Sequence, residues 1–235
     1  MKYVVFDLEF NQDPDSLTDP GLTANPELNN ISAKKRYPNE IIQIGAVKLD
    51  EELQQAGTFN RLVKPSLYAR ISPYITELTG ITSEMLQSED GFSHVYNDFI
   101  EFIGDEDTIL CVWGMSDMKE LYRSVKYHNL DENLLPDKYI NIQPYASVHL
   151  GQPKKKLLRL SYCIEAMGIE IAAPFHDALH DALYTAQIFK KLYNPAIAPK
   201  IYKPSGIPKH YGPAIPVLDF PGLIAQFEKM FSREM

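Results

Sequence analysis

Residues 2–10 read KYVVFDLEF. The run is rich in Val, Tyr and Phe, residues that suit a pleated, half-buried backbone, and it predicts a first strand. Asp7 and Glu9 stand two apart within it. The period-two geometry of a strand puts both carboxylates on one face of the sheet. Two acids side by side in a buried strand repel each other and lose solvation, so a partner must neutralise them. Taken alone, the pair reads equally well as a strand end with both acids in water.

Working outward, residues 41–49 (IIQIGAVKL) predict a second strand, and residues 57–63 (GTFNRLV), ended by Pro65, a third. The short link between them suggests an antiparallel meander. Residues 11–39 are a long excursion broken by Pro14, Pro20, Gly21, Pro26 and Pro38, of the kind that is either functional or mobile. Short helices are expected over 74–79 and 82–86, and a longer one over 92–103, with Val95, Phe99, Ile100 and Ile103 at helical spacing. Residues 108–113 (TILCVW) read as a buried strand, and 116–128 as a helix with Ser116 as N-cap. A last strand is expected over 139–142, and a helix over 157–167 that stops at Gly168. A final helix over 178–192 ends before Pro195. This order predicts an α/β fold: one mixed sheet with an antiparallel part, a parallel part and helices on both faces.

The segment 194–235 differs in character. Pro195, Pro199, Pro204, Pro208, Pro213, Pro216 and Pro221 punctuate it, so an extended tail unable to form sheet is expected. Within it residues 222–231 recover a helical pattern, with Leu223, Ile224, Phe227 and Phe231 apolar. The expected division is a folded domain over 1–193 and a tail over 194–235.

The chain has 235 residues, 45% hydrophobic and 23% charged, which supports a packed core and argues against wholesale disorder. No stretch reaches the roughly 20 apolar residues of a membrane span. Asp7 and Glu9 interrupt the opening apolar run, so it is not read as a secretory signal. Cys111 and Cys163 form no disulfide framework or metal-knuckle spacing, which makes a reducing cytoplasm the expected setting. The net charge is −8, from 23 basic and 31 acidic residues. That balance argues against gripping long duplex DNA across the whole surface, but not against holding a short single-stranded end.

Two further acids stand out. Asp117 lies in WGMSD, just after the strand TILCVW, where open α/β sheets place functional groups. An acid in a first helical turn, favoured by the helix dipole, is the plainer reading. Asp181 lies in FHDALHDAL with His176 five residues before it. With Asp177 as N-cap, His176 stays on the loop and leans over a carboxylate on the helix. A surface histidine beside a capped helix is the plainer reading here.

Together, two acids on the first strand, one after the fourth and an HxxxxD at the last helix are more specific than any one alone. In this order and spacing the chain resembles the DEDDh exonucleases of the DnaQ-like superfamily, which have an RNase H-like fold. The matching motifs are DLEF, WGMSD and HDALHD, with EIIQIGAVKL, LTGIT and LSYCIEAMGI as weaker ones. The resemblance covers residues 1–192 and is nearest to the Eri-type and KapD-type branch.

The resemblance implies a catalytic pair, His176 and Glu9, and a metal site of Asp7, Glu9, Asp117 and Asp181, with Asp117 acting largely through water. Four carboxylates carry a formal −4 that two divalent cations would cancel. All-oxygen ligation suits Mg²⁺ or Mn²⁺ and not zinc. Two such ions can hold the attacking and leaving oxygens of an in-line displacement. An imidazole titrates near neutral pH, which makes His176 the expected base. His180 competes for that role, but its position beside Asp177 fits a pair on the helix surface.

Phe10 and Trp113 are candidate platforms for the terminal base, although both also fit the core, and the resemblance carries over the backbone at Leu8 and the loop at Leu78 and Thr79 as substrate contacts. Two basic clusters, Lys34–Arg36 and Lys154–Lys156 with Arg159, fit either a phosphate track or solvated loops. The expected activity is 3′–5′ exonuclease action on single-stranded ends, RNA over DNA, releasing nucleoside 5′-monophosphates. A DNA-trimming or proofreading exonuclease is one alternative. Another is a KapD-like regulatory binding protein, with a protein partner on the tail.

Overall fold

The computed structural model describes residues 1–12, 39–68, 70–104 and 107–204. Its six strands are β1 (Lys2–Gln12), β2 (Asn39–Leu49), β3 (Gln55–Leu62), β4 (Thr108–Val112), β5 (Lys138–Asn141) and β6 (Lys200–Ile201). They form one sheet in the order β3-β2-β1-β4-β5-β6. β1 pairs antiparallel with β2 and parallel with β4, so the first strand joins a meander to a parallel half. This is the expected RNase H-like α/β architecture.

The helices are α1 (Pro73–Thr79), α2 (Ser83–Gln87), α3 (Phe92–Ile103), α4 (Ser116–Tyr127), α5 (Gln143–His149), α6 (Leu160–Ala166) and α7 (Ala178–Leu192). Alternation along β1 sorts them. Val4, Phe6 and Leu8 enter a core with Phe99 of α3 and Leu121 of α4. Tyr3 and Val5 enter the opposite core with Ala146 of α5, Ile164 of α6 and Phe189 of α7. Odd-numbered positions of β1 therefore face α7, and Asp7 and Glu9 share that face. A bulge between Glu9 and Phe10 opposes the extra residue Ile42, which enters a third core with Ile71 and Ile75 beneath α1.

Several expectations are corrected. α5 lies where no element was expected; Pro144 sits in its first turn, where it costs no hydrogen bond. Ser116 does not cap α4. Met115 holds the cap position without a side-chain bond, and the preceding turn is set by Gly114 at φ 89°, whose N–H donates to Asn141 Oδ1 at 3.1 Å. The segment after residue 194 was expected to form no sheet, yet β6 pairs antiparallel with β5 at the sheet edge. An edge strand needs only one side of its ladder, so Pro199 and Pro204 beside it are tolerated. Ile197 is buried in the α7-side core, and the Tyr202 ring lies 4.7 Å from that of Tyr122. The excursion over 13–38, including Lys34–Arg36, and the 222–231 helical pattern lie outside the described residues. No helix of the described residues is long and apolar enough to cross a membrane.

His128, at the C-terminal cap of α4, stacks on Phe92 at 5.0 Å, and burial pushes its imidazole down to about 4. Its folded value lies below the unfolded one, so the unfolded chain binds the extra proton between about pH 6.5 and 4 and stability falls as pH drops through that window. His128→Phe is expected to remove roughly 2 kcal/mol of this acid sensitivity after the ring's residual exposure is allowed for. Urea unfolding at pH 7 and 4.5 checks it: an equal acid loss in both proteins would contradict the assignment.

Candidate active site

β1 ends at the same edge of the sheet as the parallel strands β4 and β5, where the connections can reach over it. Asp7 and Glu9 lie on its α7 face. Across the ladder, Asp7 pairs with Gly45 and Glu9 with Gln43. These two positions of β2 seat the last helix. A Cβ at Gly45 would lie 2.1 Å from the backbone of Ala178 and Leu179, so only glycine admits the first turn of α7 this close to Asp7. Gln43 clips the same turn: its Nε2 donates to Asp177 Oδ2 at 2.9 Å and to Asn60 Oδ1 at 3.0 Å. Its Oε1 accepts from the Ala178 N–H at 3.1 Å.

Asp177 caps α7 as expected, accepting from the His180 N–H at 3.0 Å. His180 Nδ1 stands 3.4 Å from the same carboxylate, which places it in the cap. His176 takes φ 66°, a left-handed conformation uncommon outside glycine. That turn aims its N–H back at the helix, where it donates to Asp181 Oδ2 at 3.2 Å. The imidazole is exposed, and ligand atoms of Glu9, His176 and Asp181 lie within 4.8 Å of one another. Asp117, buried in the first turn of α4, approaches from the other layer over the sheet edge.

The electrostatics show how tightly the acids are gathered. Burial holds Asp7 well above the ordinary carboxylate range, and Asp117, Asp181 and Glu9 push it further. Burial, with Asp181 and Asp117, raises Glu9 to about 8. Asp117 is raised to about 7, mainly by burial, with help from Glu120 and Asp181 and against its own backbone hydrogen bond. Asp181 is raised to about 6, burial outweighing the His176 N–H and the nearby histidines. Among the described residues, no lysine or arginine is a main cause of any of these shifts. Asp181 Oδ1 is buried without a hydrogen-bond partner among the described residues. An orphaned carboxylate oxygen amid uncompensated acids fits a divalent cation, with Glu9, Asp181, Asp7 and Asp117 as its donors.

The other expected site residues separate. Leu8 is buried in the opposite core. Phe10 is half-buried against that same core, on the far side of β1 from the acids. Trp113 is half-buried against the α7-side core, and its Nε1 is buried without a partner among the described residues. Leu78 is half-buried, and Thr79 uses its hydroxyl to close α1, donating to the Ile75 carbonyl at 2.8 Å and accepting from the Ile81 N–H at 3.1 Å. The roles of Gln43 and Gly45 were not read from the sequence. The signal was there: a polar residue and a glycine inside an otherwise apolar strand.

Residues 4–189 match the exonuclease family (RNase_T). The chain is 33% identical over 156 residues to a PolC-type DNA polymerase III of Thermotoga petrophila, covering 64% of this chain and 10% of that protein. It is 26% identical over 162 residues to 3′-5′ exoribonuclease 1 of Mus musculus, covering 65% of this chain and 46% of that one. The chain thus spans a tenth of the first of these relatives and less than half of the second. Its fold superimposes on the nuclease domain of 3′hExo, a DEDDh family member bound to rAMP, with TM-score 0.67 and 22% identity, covering 86% of this chain and 96% of that domain. Four acids on three separate elements, seated by Gln43 and Gly45 over a mixed sheet, agree with the match along almost the whole described length: the chain belongs to the exonuclease family.

Proposed function

We propose that this protein is a metal-dependent 3′–5′ exonuclease that acts on single-stranded ends, prefers RNA to DNA, and releases nucleoside 5′-monophosphates. The observation that carries the reading is the gathering of Asp7, Glu9, Asp117 and Asp181 at one sheet edge with His176 beside Glu9 and Asp181. Bound divalent ions, two Mg²⁺ or Mn²⁺ in this reading, would supply the positive charge that steadies the attacking and leaving oxygens. The acids hold that charge, and Glu9 and Asp181 flank the imidazole. His176 takes the proton from the attacking water, as its exposed ring at the mouth of the cluster allows. The backbone at Leu8, with Leu78, Thr79 and Trp113, is proposed to border the last nucleotide. Phe10 serves there only through its exposed edge, since its ring packs on the far layer.

Matched RNA and DNA oligonucleotides labelled at the 5′ end, with Mg²⁺ or Mn²⁺, test the reading. Shortening from the 3′ end is expected, faster for RNA, and stopped by a blocked 3′ end or by EDTA. Rapid cutting of a circular strand would make the protein an endonuclease. The similarity to a PolC-type polymerase favours a second reading, a DNA-trimming exonuclease, which faster loss of the DNA strand would support.

A further inference from the structure

Lys154, Lys155, Lys156 and Arg159 occupy one loop of a chain whose net charge is −8. All four are exposed. Among the described residues none forms an ion pair: Lys156 Nζ donates to Gln152 Oε1 at 3.0 Å, and Lys154 Nζ lies 5.5 Å from the Tyr145 ring centre. A merely solvating loop has no need of a fixed backbone, yet this one is fixed. Buried Ser147 donates its hydroxyl to the Lys156 carbonyl at 2.5 Å, and the Gln152 N–H donates to the Ser147 carbonyl at 2.8 Å. Gln143 Nε2 donates to the Leu158 carbonyl at 2.8 Å.

The same bonds tie the loop to the site. Asn141 Oδ1, at the end of β5, accepts from the Gln143 N–H at 3.2 Å and from the Gly114 N–H at 3.1 Å. Gly114 opens the turn that delivers Asp117. Leu158 is buried in the core against which Trp113 packs. The basic loop and the acid cluster therefore share the edge of the sheet formed by the ends of β4 and β5. Beside the cations, Tyr162 is 51% exposed and Leu157 is 62% exposed, an apolar surface next to positive charge.

We propose that Lys154, Lys155 and Arg159 form a subsite for the phosphates of single-stranded nucleic acid on the 5′ side of the scissile bond, with Tyr162 as a stacking surface. The proposal rests on the exonuclease reading for its direction along the strand. An acid-lined centre in an acidic protein repels a polyanion, so affinity for more than the last nucleotides must come from such a strip. Cations interleaved with an exposed ring are how sequence-tolerant single-strand grooves are built.

The test uses the full chain with Lys154→Gln, Lys155→Gln and Arg159→Gln combined, exposed changes that should leave the fold unaltered. Fluorescence anisotropy with a strand of about 16 nucleotides in EDTA reads the subsite without cleavage. Binding is expected to weaken about tenfold, and the slope of log affinity against log salt to fall by about 2, at roughly 0.7 per phosphate contact. With metal, KM for that strand should rise while a dinucleotide is cleaved as before. Unchanged binding and salt slope overturn the subsite whether or not the wild type cleaves. Equal loss on the dinucleotide overturns it too, by placing these residues in the centre itself. A wild type that binds through this loop but cleaves neither substrate sinks the exonuclease reading and leaves the subsite standing.

Discussion

Gly45→Ala is expected to destabilise the protein by about 4 kcal/mol or more, lowering the melting temperature by roughly 10 °C. Added volume in a core ordinarily costs about 1–3 kcal/mol, because side chains give way. Here the added methyl would meet the backbone of Ala178 and Leu179 at 2.1 Å, and backbone cannot rotate aside. α7 must lift, and with it go the buried Ala182, Tyr184 and Phe189. The lift also withdraws Asp181 and His176 from Glu9, so whatever fraction stays folded should lose metal affinity and activity together. Gly57→Ala is the control: among the described residues its methyl would meet only the Phe102 ring, at 3.5 Å, and stability should stay within about 0.5 kcal/mol. Thermal unfolding with metal titration decides the matter. A Gly45→Ala protein that melts and binds like the wild type would show that α7 is not seated there.

The second large effect separates chemistry from stability within the acid cluster. His176→Asn should cut cleavage by roughly 10²–10⁴, the usual worth of a positioned base, without unfolding the turn, since asparagine tolerates the left-handed backbone. If His180→Asn proves the more damaging, His180 and not His176 is the base. Asp7→Asn should abolish cleavage yet raise the melting temperature of the metal-free protein. The sign follows from the raised carboxyls. Glu9 at about 8, Asp117 at about 7 and Asp181 at about 6 all lie above their unfolded values near 4. The folded state therefore binds the extra protons, and stability present below pH 4 is lost as pH rises toward 8. Asp7 is itself raised by burial and by Asp117, Asp181 and Glu9, so a neutral amide in its place takes that repelled carboxyl out of the cluster and should flatten the loss, as should added Mg²⁺ in the wild type. Differential scanning calorimetry in EDTA at pH 5 and 8 reads it. A metal-free Asp7→Asn protein less stable than wild type at pH 8 would mean that these acids do not repel one another.

Much of the frame follows from local pattern. The bounds of α3 and α7 were legible because apolar spacing, a capping Asp177 and a following proline all act within a few residues. The shared face of Asp7 and Glu9 follows from the period of a strand alone. By the same period Phe10 faces the other layer, where it packs half-buried. Local pattern misled where prolines sat at permitted places beside the edge strand β6, and it left α5, with its proline in the first turn, unread.

The assembly of the site belongs to tertiary structure. Asp117 and Asp181 come from helices packed on opposite faces of the sheet, and only the stacking of those layers brings their charges onto Asp7. The reason α7 can come so close is the absence of one methyl at Gly45, and the reason it starts where it does is the reach of Gln43 across 134 residues to Asp177. The left-handed turn at His176 is held by a hydrogen bond to Asp181, a partner five residues ahead on a helix that must already be seated. Propensity and periodicity describe neighbours along the chain. Close approach of one backbone to another, and the charge that approach accumulates, depend on residues far apart in sequence, and packing alone sets them.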